Sequence, residues 1–188
     1  IFYTIMQINL PNIYYYTDHF NLADLLKLNN KISIIYRNYK EETNKETIYS
    51  LKKFCRNTKR KLFIANNIKQ AISMKLDGVY IPSFNIKINY TSSYCYPTNF
   101  KIIGSAHNIK EIRIKKLQNC SEIFVSPIFK TKKKSKFLDI TKFNNLTMYE
   151  KSKYIALGGI NSKNFKRLKL TNVIGFAGIS GIKKNGLK

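Results

Sequence analysis

The chain has 188 residues, 44% of them hydrophobic, and a formal net charge of +24. That length and apolar content suit one domain with a proper core, spanning 1–188, and exclude a disordered chain. The charge invites a nucleic-acid reading, but 29 Lys, 27 Ile and 21 Asn stand against 5 Arg, the skew that AT-rich codons impose. Arginine, the preferred residue for bidentate base contact, is scarce, and the lysines are spread as on solvated helix faces.

Short β-branched or aromatic runs recur along the chain: 13–17, 32–36, 61–65, 78–81, 101–105, 122–125, 153–157 and 173–177. Each is too short for a helix and suits a strand buried on both faces. Helical patterns lie between most of them. Ile48, Leu51, Phe54 and Cys55 share one face. So do Ile68, Ala71, Ile72 and Leu76, and then Ile109, Ile112 and Leu117, with Ile114 off that face. Strand and helix in alternation imply a parallel sheet. Eight such strands in one compact chain imply a (β/α)8 TIM barrel. The first helix has little room between Asp18 and Lys31. Pro97 argues for an irregular fourth crossover, and the eighth helix is expected to be truncated.

Cys55, Cys95 and Cys120 form no CxxC pair, and with only His19 and His107 no metal-ligand spacing can be read. These features fit a reducing cytoplasm. Residues 1–18 lack the charged start and small-residue cleavage site of a signal peptide, and no apolar run approaches a membrane span. No membrane is expected as a partner.

In a parallel barrel the loops after the strands gather at one face and carry the chemistry. Here they bring Arg37 after the second run, Asn66 and Asn67 after the third, Asn85 after the fourth, and Ser105 and His107 around the end of the fifth. The lysine-rich stretch 130–136 follows the sixth. Gly158–Gly159 and Gly178–Gly181 follow the seventh and eighth, where such barrels often bind phosphate. His107 has the chemistry of a proton carrier, and capping the following helix is the plainer use for it.

The segments LFIANNIKQAISMKLDGVYI, KIIGSAHNIKEI, EIFVSPIFKTKKK, IALGGINSKN and VIGFAGISGI, in this order, resemble the thiamine-phosphate synthase/TenI family. The resemblance runs from about Ile13 to Ile182. It implies a barrel that binds phosphorylated thiazole and pyrimidine ligands. The synthase branch condenses hydroxymethylpyrimidine diphosphate with hydroxyethylthiazole phosphate and releases diphosphate, with Mg2+ neutralising the leaving group. The TenI branch is a thiazole phosphate tautomerase, or binds its ligand without a settled activity. Residue by residue, the resemblance assigns Thr131 and Lys134 to diphosphate contact, and Lys134 also to catalysis. It aligns Ser105 with the family's serine and gives His107 the proton in the tautomerase branch. Gly158, Gly159, Ile179 and Ser180 match the thiazole-phosphate loop. Arg37 is kept after the second strand, where the family's glutamine and lysine become Ile35 and Tyr39. Asn66 and Asn85 occupy the family's two magnesium-carboxylate positions, so Mg2+ binding is expected to be weakened. Two functions follow from the resemblance, a synthase-like transferase and a TenI-like isomerase or binding protein; the charge alone offers a third, a nucleic-acid binder, which the composition argues against.

Overall fold

The computed structural model describes residues 12–39, 44–132, 135–179 and 182. In them the eight apolar runs are strands: β1 (Asn12–Thr17), β2 (Ile32–Tyr36), β3 (Leu62–Ala65), β4 (Gly78–Ile81), β5 (Lys101–Ala106), β6 (Glu122–Val125), β7 (Tyr154–Leu157) and β8 (Gly175–Gly178). Each pairs in parallel with the next, and β8 returns to β1 with Phe176 opposite Ile13. The sheet therefore closes into a barrel in chain order, as the alternation implied.

The runs look uniformly apolar because both faces are covered, yet they alternate. Tyr14, Tyr16, Ile35, Phe63, Tyr80, Ile103, Phe124 and Ile155 fill the barrel interior. Their neighbours Tyr15, Ile34, Tyr36, Ile64, Val79, Ile102, Ile123 and Tyr154 face the helical layer. The interior is closed by edge-on aromatic contacts: Tyr14 to Phe124 at 4.9 Å, Tyr16 to Tyr80 at 5.4 Å and Tyr80 to Phe124 at 5.8 Å between centroids. At the N-terminal end of the strands the floor is polar. Glu122, 2% exposed, accepts from Tyr14 Oη at 2.6 Å, from Lys101 Nζ at 3.0 Å and from Asn12 Nδ2 at 3.3 Å. Burial, then the Glu122 charge, pushes the Tyr14 phenol far above its ordinary range.

The helices are α1 (Leu22–Leu26), α2 (Lys45–Asn57), α3 (Ile68–Ser73), α4 (Ile109–Leu117) and α5 (Asp139–Met148). The abundant asparagine has a structural use here. Asn21, Asn44, Asn67 and Asn108 each cap a helix, their side-chain oxygens accepting a first-turn N–H. α1 is short, and the fourth crossover carries only a 3-10 turn at Ile88–Tyr90, both as the sequence implied. The seventh crossover is also a 3-10 turn, Phe165–Leu170. The expected truncation of the eighth helix falls on residues outside the described ones, apart from Ile182.

The expected apolar face holds in α2, where Ile48 and Leu51 are fully buried, each contributing about 1.5–3 kcal/mol by area. It fails in α4. Ile112 is buried, but Leu117 is 58% exposed and Lys115 is buried instead. At 100° per residue Lys115 lies beside Ile112 and Leu117 well away from it. Among the described residues no helix is long and apolar enough to cross a membrane.

Candidate active site

The loops after β6 and β7 interlock at the C-terminal end of the barrel. The Ser126–Pro127 peptide is cis. Ile128 N donates to Leu157 O at 3.0 Å and Phe129 N to Gly158 O at 3.1 Å. Gly158 and Gly159 sit at φ 93° and 73°, the left-handed region that glycine enters freely. A Cβ on Gly159 would lie 2.4 Å from Phe129 O, and one on Gly158 would lie 3.7 Å from the Thr131 methyl. Asn164 Nδ2 holds Gly159 O at 2.8 Å. The turn therefore presses against the loop that carries Thr131, and turns of this kind form concave anion sites from main-chain N–H groups. The other glycine turn differs: Gly178 ends β8 in strand conformation, and Gly181 lies outside the described residues.

On the next strand, Ser105 is buried in β5 opposite Phe124. His107 follows, exposed, and it is not a helix cap. Asn108 caps α4, and Glu111 Oε2 accepts from His107 N, one residue before the cap, at 2.7 Å. The imidazole turns instead to β6. Its Nδ1 is 2.7 Å from Ser126 O and 3.1 Å from Ser126 Oγ. A carbonyl only accepts, so Nδ1 carries a hydrogen, and in the neutral ring Nε2 has the lone pair.

The opposite arc is aromatic and amide-rich. The Arg37 guanidinium lies over the Tyr16 ring at 4.7 Å, and Arg37 N donates to Thr17 O at 2.7 Å. Tyr39 and Phe84, both at least half exposed, meet edge-on at 5.3 Å. The sequence did not single out that pair as a site. Asn66 and Asn85, 19 residues apart, meet directly: Asn85 Nδ2 donates to Asn66 Oδ1 at 2.7 Å. Behind Asn85, the buried Lys115 Nζ donates to Asn85 O at 2.7 Å and to Gln118 Oε1 at 2.8 Å. Gln118 Nε2 donates to Asn85 O at 3.0 Å and to Lys87 O at 2.8 Å. Burial drives the Lys115 ammonium down to about 8.

Arg37, Asn66, Asn85, Ser105, His107, Thr131, Gly158, Gly159 and Ile179 all stand at the C-terminal ends of their strands, on one rim. Lys134 and Ser180 lie outside the described residues.

The sequence model of the family described as thiamine monophosphate synthase, TMP-TENI, matches residues 19–182. The chain belongs to this family. Among similar curated proteins, a thiamine-phosphate synthase from Prochlorococcus marinus subsp. pastoris is 29% identical over 184 residues, covering 93% of this chain and 52% of the relative. Another from Prochlorococcus marinus is 28% identical over 164 residues, covering 84% of this chain and 47% of the relative. The chain thus spans about half the length of these relatives. A thiamine phosphate pyrophosphorylase from Pyrococcus furiosus superposes with a TM-score of 0.75 at 20% identity, covering 93% of this chain and 88% of that one. At that identity the likeness speaks for the fold.

A hard divalent cation takes oxygen ligands, carboxylates above all. Asn85 Oδ1 is engaged by Lys87 N at 3.2 Å and Asn66 Oδ1 by Asn85. Among the described residues no group of three Asp, Glu, His or Cys could hold a metal. The amide corner does not fit Mg2+.

Proposed function

We propose that this barrel acts in thiamine biosynthesis as a synthase-type transferase. It joins a hydroxymethylpyrimidine diphosphate to a hydroxyethylthiazole phosphate. The observation that carries the reading is the Gly158–Gly159 turn seated against the Thr131 loop, in the part of the barrel suited to a phosphate. The thiazole phosphate sits there. The pyrimidine diphosphate sits across the rim, with Arg37 and the lysines after β6 supplying positive charge. The C–O bond to diphosphate breaks and diphosphate leaves with the electron pair. The thiazole nitrogen then gives its lone pair to the pyrimidine methylene, forming the C–N bond. The protein's part is to orient the two rings and stabilise the charge on the leaving group. The test is to incubate the protein with both precursors and measure thiamine phosphate and released diphosphate, which should appear in equal amounts.

A second reading, a TenI-like shift of a proton on a thiazole phosphate, draws on His107. Its Nδ1 hydrogen bond to Ser126 O leaves Nε2 as a base. His107→Ala separates the two readings. It should abolish proton exchange into the thiazole phosphate if the second holds, and leave condensation largely intact if the first does.

A further inference from the structure

The amide corner at β3 and β4 is oriented by groups that have no choice of role. Lys87 N is a backbone donor, so the atom of Asn85 facing it at 3.2 Å must be Oδ1. Asn85 O and Lys87 O are backbone acceptors, so Gln118 presents Nε2 to both of them and Oε1 to the Lys115 ammonium. With its oxygen turned inward, Asn85 can offer only Nδ2 to Asn66, which must answer with Oδ1. Asn66 is itself pinned. Its N–H donates to Tyr80 O at 2.8 Å, its carbonyl accepts from Tyr90 Oη at 2.6 Å, and its φ of 55° is one that asparagine tolerates. The relay ends with the Asn66 amide nitrogen, which no described residue accepts from.

We infer that this corner is an oxyanion site that works without a divalent cation: the Lys115–Gln118–Asn85 relay turns Asn66 so that its N–H2 group is offered to a diphosphate oxygen. Where a carboxylate would present acceptors to a metal, this corner presents a donor to the anion itself. Two features built into the fold support it. Asn66 directly follows β3 and Arg37 directly follows the neighbouring β2, so an amide donor and a guanidinium stand just beyond the ends of adjacent strands. The Lys115 stem is accommodated because Gly104 has no side chain: a Cβ there would lie 2.8 Å from Lys115 Cδ. The buried ammonium has no carboxylate among its hydrogen-bond partners, so the corner is positive from behind. The inference rests on the phosphorylated-ligand reading above and adds how the leaving group is held.

The test is calorimetric titration of the protein with inorganic diphosphate, in EDTA and in excess Mg2+, at a salt concentration that screens surface lysines. The wild type should bind in EDTA at least as tightly as in Mg2+, which itself complexes diphosphate in solution. Asn66→Asp keeps the acceptor for Asn85 and the backbone φ but replaces the donor by a charge. It should weaken binding in EDTA at least tenfold, and Mg2+ should recover part of the loss. Asn66→Gly also keeps the φ and should weaken binding several-fold in either condition. Titration with hydroxyethylthiazole phosphate, seated on the other arc, should be unchanged in both variants. Wild-type diphosphate binding that needs Mg2+, or binding that Asn66→Asp leaves unaltered, overturns the inference while the phosphate-binding mouth stands. Failure of the wild type to bind either ligand overturns both.

Discussion

Lys115 offers the sharpest test of the packing behind the site. Its ammonium is fully buried with two neutral oxygen partners, and burial lowers its pKa from 10.5 to about 8. The Glu111 carboxylate acts in the other direction, and Cys120, which would do the same if ionised, is pushed up to about 12, so that thiol stays neutral through the window of interest. Between about pH 8 and 10.5 the unfolded lysine is protonated and the folded one is not, so the unfolded state binds more protons and stability rises with pH. The drop in pKa corresponds to about 3 kcal/mol. Lys115→Met keeps the length and apolar stem but cannot titrate. In urea melts of both proteins across this range, the wild type should gain up to about 3 kcal/mol on the variant. Every other titrating group is shared and cancels in the difference. A difference that stays flat with pH would refute the buried-cation account of α4.

The remaining expectations concern the rim and the floor. Glu122→Ala leaves the buried Tyr14 hydroxyl without its acceptor, while the partly exposed Lys101 ammonium can turn to water. It should cost about 1–3 kcal/mol in a denaturant melt, and thiazole phosphate titrates as before because the floor is at the far end of the barrel. Gly159→Ala forces a side chain into φ 73° and to within 2.4 Å of Phe129 O. It should cost about 1–3 kcal/mol of stability and weaken thiazole phosphate binding measured by calorimetry. Thr131→Val keeps the shape and deletes the hydroxyl, and should weaken inorganic diphosphate binding, measured by calorimetry, about tenfold.

Most of the barrel was legible because its strands are short, β-branched and separated by helical periods, and parallel closure needs little more. The inward and outward faces of the strands were not legible. A run such as Ile32–Tyr36 is apolar at nearly every position because both faces are covered. Lys115 was missed for a related reason: a lysine on a helix reads as solvated, and only the three-dimensional pairing of its ammonium with Asn85 O and Gln118 reveals the burial. Asn66 and Asn85 were legible as residues following the third and fourth apolar runs. Their contact was not, since it spans two strands, and neither was the Tyr39–Phe84 pair. His107 was legible as a histidine beside a helix start, but Asn108 is the cap and Ser126 takes the imidazole.

The most direct measurement of the central claim is a single incubation of the full chain with hydroxymethylpyrimidine diphosphate and hydroxyethylthiazole phosphate in EDTA. Thiamine phosphate and diphosphate should accumulate together, one for one. No product in EDTA, with turnover restored by added Mg2+, would contradict the cation-free leaving-group site. No product under either condition would contradict the transferase.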